Sequence, residues 1–513
     1  MIDLGLKDAF IAVAGENRYE WCVAYLAVVN GTGVVVPLDR ELPVNEIENL
    51  LKRSRSSAVV FSGKLENEMK KVRETLSSVK YYINMDQEED EDGFLSYKKL
   101  ISRGRELLEN GNREYLDAQI DPDVMSILLF TSGTTDLAKG VMLSHRNICS
   151  NIMAVCSSIY IDCNDSALSI LPLHHTYECT AGFLVMVYNG CTISFNEGLK
   201  HIAKNLKETR PTLLILVPLI LENMYKKIWE QAGKQRGMKT KLKLALFFSN
   251  ILFGLFGIDL RKKLFRPILD NIGGRVRLII SGAAAIDPRV SKGLRSMGIK
   301  VIQGYGLTEC SPIVTVGREA NIRDDSIGQP LPGVEVRIDS PDRDGIGEIV
   351  VKGENVMLGY FENKLATDRV LKDGWLYTGD LGKVDKDGFF TITGRKKNVI
   401  VTKNGKNVFP EEVEAYLNKS PYILESMVWG KVDENTDETL VCAQIVPDYD
   451  VLREKLKTDN ISPDEVFNII SNEVKSINRS MPLYKHIKQF TIRETEFAKT
   501  TTKKIKRYLE KTG

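Results

Sequence analysis

Four hydroxyls, two glycines and a lysine fall within the ten residues 131–140, TSGTTDLAKG, directly after the apolar run SILLF. At a strand's end that composition suits a polyphosphate. Glycines let backbone N–H groups approach, and the hydroxyls and Lys139 supply donors and positive charge. The segment is not a Walker A loop, because Ala138-Lys139-Gly140 stands where Gly-Lys-Ser/Thr is required, and kinase or P-loop ATPase chemistry is set aside. Taken alone, the same residues could form a polar turn.

Four further segments carry groups of related kinds. In QGYGLTEC at 303–310, Tyr305 offers a flat face to an aromatic ring, and Glu309 beside Thr308 offers hard oxygen ligands for Mg²⁺ next to phosphates. In GWLYTGDLG at 374–382, Asp380 sits in a glycine-rich turn, where it could accept both hydroxyls of a ribose or bond its own backbone. ITGRKKNVIVTKNGKNVFPEEVE at 392–414 places Arg395 thirteen residues after Gly382. KTTTKKIKR at 499–507 closes the chain, with six Lys or Arg between 499 and 511 against one acid, Glu510, which by itself reads as a mobile, solvated basic tail.

The elements that must hold these groups alternate. IAVAGEN reads as a strand and turn, YEWCVAYLAVVNG as a helix ended by Gly31, and GVVVPLD as a second strand. NEIENLLKRSR is an amphipathic helix and AVVFSG a third strand. That β-α-β-α-β order predicts a parallel sheet, with little ahead of the first strand to cover its edge. The acidic run DQEEDED at 86–92 reads as a solvated loop. Alternation resumes at MSILLFTSG and continues through TLLILVP and VRLIISGAAAI. After about Pro330, GVEVRID, GEIVVKG and GFFTITG are short alternating strands between Asp/Gly turns, as in a small antiparallel sheet or barrel. Helices (EEVEAYLN, EVFNIISNEVKSI) and strands (ETLVCAQIV, KQFTI) are mixed beyond GRKK, and a domain boundary is placed near Lys397.

A chain of 513 residues exceeds one hydrophobic core, so at least two domains are expected. With 70 Lys and Arg against 68 Asp and Glu there is no global field that calls for nucleic acid. Eight cysteines form no Cys-x-x-Cys pair and five histidines are few, so no zinc site is expected. Cys149, Cys156 and Cys163 recur every seven residues, which suggests one helix face. No secretory signal opens the sequence, and a reducing cytoplasm fits best. Residues 244–258, LALFFSNILFGLFGI, lie between KTKLK and RKK and are too short to span a bilayer. They read as a buried helix with snorkelling lysines at its ends. An interfacial helix on anionic headgroups is the alternative.

In this order, the five segments resemble the signature motifs of the adenylate-forming superfamily of acyl-CoA synthetases, firefly luciferase and peptide-synthetase adenylation domains. The resemblance runs from Gly15-Glu16-Asn17 to Arg507. Within that superfamily the chain looks most like long-chain fatty acyl-CoA synthetases, on QGYGLTE, TGRKKNVIVTKNGKNVFPEEVE and the basic-apolar insertion at 226–275. The fold this implies is α/β. A large N-terminal domain of parallel sheets packed with helices, with a small antiparallel barrel, spans 1–396, and a smaller mobile α+β C-terminal domain spans 397–513.

The resemblance also implies roles. Thr131, Ser132, Gly133, Thr134, Thr135 and Lys139 would hold the ATP β- and γ-phosphates. Tyr305 would stack on adenine, with the backbone of Gly282, Ala283 and Ala284 on its other side. Thr308 and Glu309 would meet the α-phosphate and Mg²⁺, and Asp380 and Arg395 the ribose hydroxyls. His175 would lie beside the substrate carboxylate, with His174 the lesser candidate of the pair. Lys504 would bridge carboxylate and α-phosphate, Lys397 would be the hinge, and the turn at Gly405 would enter beside the coenzyme A tunnel. Fatty acid and coenzyme A are the implied partners, with peripheral contact at the inner face of the membrane through 239–266 as a further expectation.

The sequence departs from the family pattern in places. Asp136 stands where Gly is usual, Ala138 where Pro is common, and Lys503 where Gly normally precedes the catalytic lysine. Family members also carry a helical segment ahead of the GEN strand that is missing here, so the N-terminal domain is expected to be shortened at its start. Two rival readings follow: an enzyme that loads an acyl carrier protein, and a degenerate member that binds without catalysis.

Overall fold

The computed structural model describes residues 1–131, 138–234, 237–402, 406–433, 438–499, 505–507 and 509–510. The chain divides into two compact units, Met1–Val336 with Val351–Leu376, and Arg337–Val350 with Tyr377–Gly513.

The first unit is built on two sheets. Apolar β-branched runs bounded by Gly and Pro turns make strands at Ala9–Ala14, Gly33–Leu38 and Ala58–Phe61, with helices Tyr19–Val29 and Val44–Arg53 between them. These strands pair in parallel, and Tyr81–Asn84 and Leu95–Ser96 extend the sheet on one side. Met125–Thr131 joins the other side in parallel, followed by the antiparallel strands Lys139–Ser144 and Gly359–Tyr360. Ala9–Ala14 therefore lies inside an eight-stranded sheet, between Gly33–Leu38 and Ala58–Phe61, and not at an exposed edge as its place near the start suggests. The second sheet has seven strands. Thr192–Phe195, Ser166–Ser169, Leu213–Leu216, Leu278–Ser281 and Lys300–Gly306 run parallel, and Ile313–Val316 and Gln329–Pro330 close it antiparallel.

Each sheet buries its own core. Val36, Val59, Phe61, Met69 and Phe94 fill one, with Phe61 and Phe94 edge to face at 5.2 Å, an arrangement worth about 0.5–1.5 kcal/mol beyond area burial. Leu214, Leu216, Ile279, Leu294 and Val301 fill the other. The short strands after Pro330 form a third sheet ordered Val334–Asp339, Gly347–Gly353, Trp375–Val384 and Leu371–Lys372, with Phe390–Arg395 antiparallel on Trp375–Val384.

Two sequence expectations change. The cysteine face is only partly helical, because the helix His145–Cys156 ends before Cys163. The apolar stretch does form a helix, Met238–Phe256, but only Leu242 and Ser249 are buried along it, so it is not a core helix. Among the described residues no helix is long and apolar enough to cross a membrane.

In the second unit, Ile423–Asp433 pairs antiparallel with Glu438–Pro447, which pairs parallel with Gln489–Ile492. Helices Pro410–Leu417 and Pro463–Arg479 contribute Val413, Leu417, Val466 and Ile470 to the core beneath. The longer helix starts on a capping box: Ser462 Oγ accepts from the Glu465 N–H, the Glu465 carboxylate accepts from the Ser462 N–H, and Pro463 fits the first turn.

The basic C-terminal stretch is docked at both described ends. Lys499 Nζ lies 2.6 Å from Glu425 and 2.7 Å from Glu496, and Lys499 and Ile505 form an antiparallel bridge. Arg507 donates to both Glu414 oxygens at 2.5 and 2.6 Å and to the Val428 carbonyl at 2.9 Å. Burial pushes the Glu414 carboxyl up to about 7 against the pull of Arg507. Removing one partner of such a pair strands the other in low dielectric. Arg507→Ala should therefore cost about 3 kcal/mol in denaturant unfolding of the full chain, whereas the double apolar replacement Arg507→Met with Glu414→Leu should recover most of that loss. An Arg507→Ala variant with an unchanged midpoint would show that the contact is not formed.

Candidate active site

In the first unit, the site residues sit where strands end. Lys139 opens the strand Lys139–Ser144 opposite Thr131, whose hydroxyl donates to the Lys139 carbonyl at 3.4 Å. The Lys139 ammonium lies 4.8 Å from the centre of the Tyr360 ring, a cation–π contact. The Tyr360 hydroxyl donates to Glu309 Oε1 at 2.8 Å. Glu309 belongs to the single turn Thr308–Cys310, and its carbonyl accepts from the Met357 N–H at 2.8 Å. Thr308 Oγ1 lies 3.3 Å from Thr176 Oγ1, beside His175. Lys139, Tyr360, Glu309, Thr308 and Thr176 thus form one polar line drawn from four distant parts of the sequence.

Buried amides hold that line. Asn147 closes a capping box with Ser144 at the start of the helix His145–Cys156 and donates to the Glu354 and Val356 carbonyls at 2.7 and 2.9 Å. Asn355 donates to the carbonyls of Cys310 and Ile313, and Ser311 Oγ donates back to Asn355 at 2.9 Å. Tyr305 is buried in the strand Lys300–Gly306, opposite Thr315. A Cβ on Gly306 would meet the Pro312 carbonyl at 1.9 Å, so only glycine permits that approach. Gly282 lies against the ring of Tyr177, whose hydroxyl donates to the Ile280 carbonyl at 3.0 Å. Ala283 has a left-handed φ of 70°, and Ala284 is exposed.

The loop LPLHHTY is fastened from below. Asn17 donates to Ser169 Oγ at 2.9 Å and to the Leu171 carbonyl at 2.6 Å, and it accepts from the Leu173 N–H at 3.0 Å. Ser169 donates to Glu178 Oε1 at 2.6 Å, and the Leu171 N–H also bonds the Glu178 carboxyl. Glu178 is fully buried at the start of a π-helical turn, Glu178–Leu184, and burial pushes its carboxyl up to about 8, so it is a neutral acid at pH 7. The rings of His174 and His175 lie tilted by 40° with their centres 4.4 Å apart. Burial, with Arg40 nearby, lowers His174 to about 3, and Asp39, 3.6 Å from its Nε2, does not offset this, so the ring is neutral.

In the second unit, Asp380 and Arg395 are cross-strand partners, with Arg395 Nε 2.7 Å from Asp380 Oδ1. Asp380 is buried, and its N–H donates to Thr378 Oγ1. Glu348 accepts from the Gly379 N–H at 2.9 Å and pairs with Lys396 at 2.7 Å, which anchors both strands of the turn. Lys397 is exposed at the surface, yet partial desolvation first, then Arg395 and Arg507, lowers it to about 8, with Glu411 and Asp380 pulling the other way. Ser132, Gly133, Thr134, Thr135, Gly405 and Lys504 lie outside the described residues, as do Asp136 and Lys503.

Glu309 and Thr308 present hard oxygens, and among the described residues no group of three or more His, Cys, Asp or Glu could cage a metal ion. That donor set fits Mg²⁺ held mainly by phosphates and water. Sequence reasoning missed Tyr360, Thr176, Asn17 and Glu178. Glu178 alone left a sign, an acid directly before the apolar run CTAGFLVMV.

Two mostly parallel sheets, short antiparallel strands after them and a separate α/β unit make the architecture of the adenylate-forming acyl-CoA ligases. An anthranilate CoA ligase bound to anthranoyl-AMP superposes with a TM-score of 0.75 at 20% identity, over 99% of this chain and 88% of that one. An o-succinylbenzoate CoA synthetase of Bacillus subtilis bound to its acyl-adenylate superposes with 0.72 at 22% identity, over 100% and 90%. The chain belongs to the AMP-binding enzyme family, which matches residues 1–361. It is 31% identical to long-chain-fatty-acid–CoA ligase 1 of Cavia porcellus over 481 residues, 87% of this chain and 66% of that protein. It is 29% identical to fatty acyl-CoA synthetase A of Dictyostelium discoideum over 510 residues, 95% of this chain and 74% of that one. The chain thus spans just under two thirds of the guinea-pig relative's length.

Two pH-dependent stabilities follow. The unfolded chain ionises Glu178 near its ordinary pKa and the folded one only near 8, so stability tied to this group falls as pH rises between those values. Glu178→Gln should match the wild type below pH 4.5 and melt several degrees higher at pH 8, while Glu178→Ala should melt lower at both. A Gln variant that loses stability equally at all pH values would refute a neutral acid. Lys397 has the opposite habit: its charge costs stability below about 8, and that cost fades as pH approaches 10.5. Because the Lys397 side chain is exposed and its charge is screened by water, Lys397→Met should raise the melting temperature by at most about a degree at pH 7 and leave it unchanged above pH 10.5. A Lys397→Met variant that melts lower than the wild type at pH 7 would contradict this sign.

Proposed function

We propose that this chain is an AMP-forming long-chain fatty acid–CoA ligase, carried by one observation: the unbroken line Lys139–Tyr360–Glu309–Thr308–Thr176 inside a single unit. A cation, a carboxylate and two hydroxyls in sequence suit a triphosphate whose α-phosphorus must meet a second anion beside His175. The names of the relatives in guinea pig and Dictyostelium supply the class of acid.

Thr131, Ser132, Gly133, Thr134, Thr135 and Lys139 bind the β- and γ-phosphates. Tyr305 and the backbone of Gly282, Ala283 and Ala284 receive adenine, and Asp380 and Arg395 receive the ribose. Glu309 and Thr308 hold Mg²⁺, which when bound neutralises phosphate charge. The fatty carboxylate oxygen attacks the α-phosphorus, the bond to the bridging oxygen breaks and pyrophosphate leaves. Lys504 offsets the repulsion between the two anions and stabilises the charge that develops. The sulfur of coenzyme A then attacks the acyl carbonyl, its proton is lost and AMP departs. His174, kept neutral, packs His175 in place without adding charge. The region beyond Lys397 acts as the mobile domain, and its turn at Gly405 serves the thioester step. The eight cysteines are all free thiols, as suits a reducing compartment.

The test is AMP release from ATP with short- to long-chain fatty acids, with and without coenzyme A. AMP and acyl-CoA should appear together and best with long acids, and Lys504→Ala should slow adenylation by about 100-fold or more. Acyl-AMP without a coenzyme A thioester would point to an acyl carrier protein as acceptor. No AMP from any acid, despite ATP binding, would overturn the catalytic reading.

A further inference from the structure

The helix Met238–Phe256 is apolar on the side that packs and on the side that does not. Leu242 and Ser249 are buried along one side, with Ala245 and Leu246 half-buried there, and they join a small core with Ala232, Phe265 and Met297. On the opposite side, Leu244, Phe247, Phe248, Ile251 and Leu255 recur at i, i+3, i+4, i+7 and i+11, which on a helix makes one stripe about 100° wide. Leu244 is 51% exposed, Phe247 59%, Phe248 58% and Leu255 75%, and exposed Phe256 and Ile258 carry the apolar surface past the helix end at Gly257. An ordinary surface helix presents charge on that face, and a contiguous exposed patch of this kind marks a contact surface.

Charge says what the contact is. Exposed Lys239, Lys241 and Lys243 lie in the helix's first turns, and exposed Lys262, Lys263 and Arg266 follow its end. No Asp or Glu occurs between Glu230 and Asp259, and Asp259 is bonded by the Arg261 guanidinium at 2.6 Å. Overall the chain carries a net charge of only +2, so this excess is a property of the patch. An apolar stripe flanked by cations at both ends complements a surface whose interior is hydrocarbon and whose boundary is phosphate. A bilayer has both and a protein groove would need an acidic rim at each end, so the bilayer is the simpler fit.

We propose that this face docks on an anionic lipid bilayer, with Phe247, Phe248 and Leu255 entering at the headgroup boundary and the flanking lysines meeting lipid phosphates. The helix lies in the interface, since it is not long and apolar enough to cross. The proposal does not depend on which acid, if any, the chain activates.

Co-sedimentation of the full chain with vesicles of phosphatidylcholine, alone or mixed with phosphatidylglycerol, tests it. The wild type should sediment with the mixed vesicles, less with phosphatidylcholine alone, and less as salt rises. The triple variant Phe247→Ser, Phe248→Ser, Leu255→Ser and the double variant Lys241→Glu, Lys243→Glu should each lower the partition coefficient about tenfold or more at an unchanged melting temperature. The charge variant alters no buried side chain, so it stays informative if the triple variant folds poorly. Wild-type protein left in the supernatant with anionic vesicles would overturn the proposal, as would either folded variant binding like the wild type. A wild-type dimer in light scattering that the triple variant dissolves would assign the face to a second copy, and that too would overturn it.

Discussion

One amide side chain holds the two sheets of the first unit in register with each other. Asn17 follows the strand Ala9–Ala14 of one sheet, and Ser169 ends the strand Ser166–Ser169 of the other. A primary amide has two donors and two acceptor lone pairs, and Asn17 uses both kinds of group on Ser169, Leu171 and Leu173. Because Ser169 in turn donates to Glu178, the loop that carries His174, His175 and Thr176 is clamped at both ends. Polar contacts of this kind, half-buried at Asn17 and buried at Glu178, add little net energy when made, but they leave a costly unpaired group when broken. The geometry of Thr176 against Thr308 therefore depends on a residue far from either in sequence.

That dependence explains what could be read without coordinates. Repeating strand and helix patterns, such as AVVFSG and NEIENLLKRSR, were legible because burial imposes a period on the residues themselves. Gly-rich turns at strand ends were legible for the same local reason. Tyr360 was not: its hydroxyl matters only because Gly359–Tyr360 pairs with Lys139–Ser144 and so meets Glu309, a relation with no local signature. Glu178, also missed, carries only a faint local mark, an acid before an apolar run, and its partner Ser169 lies nine residues back in another element. The basic C-terminal stretch was misleading in the other direction. Six cations against one acid look solvated, yet Glu414 and Glu425 from the second unit's core elements take Arg507 and Lys499.

The helix Met238–Phe256 shows why composition and burial must be weighed separately. Its sequence is apolar enough for a core, and a mean over the segment gives no hint that one side stays outside. Only the phase of the buried positions, Leu242 and Ser249, separates the packed side from the exposed one. Once that phase is known, four exposed apolar side chains of the stripe, Leu244, Phe247, Phe248 and Leu255, must be explained by something other than folding.

Electrostatics decides which residues of the candidate site are held by the fold and which remain for a ligand. Asp380 meets Arg395 across neighbouring strands, and Glu309 meets a neutral phenol. The first arrangement is an ion pair already satisfied in sign, able to shape a neutral polyol without gaining or losing net charge. The second leaves, among the described residues, a carboxyl group that is hydrogen-bonded but has no cation paired with it, and its neighbour in line, Lys139, is spaced from it by the width of an aromatic ring. A cation bound to phosphate would complete the charge balance there, and a neutral ligand would not. The same logic accounts for His174, which burial keeps neutral, and Glu178, which burial keeps protonated, beneath the loop. A floor without net charge lets the charges above it be set by the substrate and by the cations that meet it.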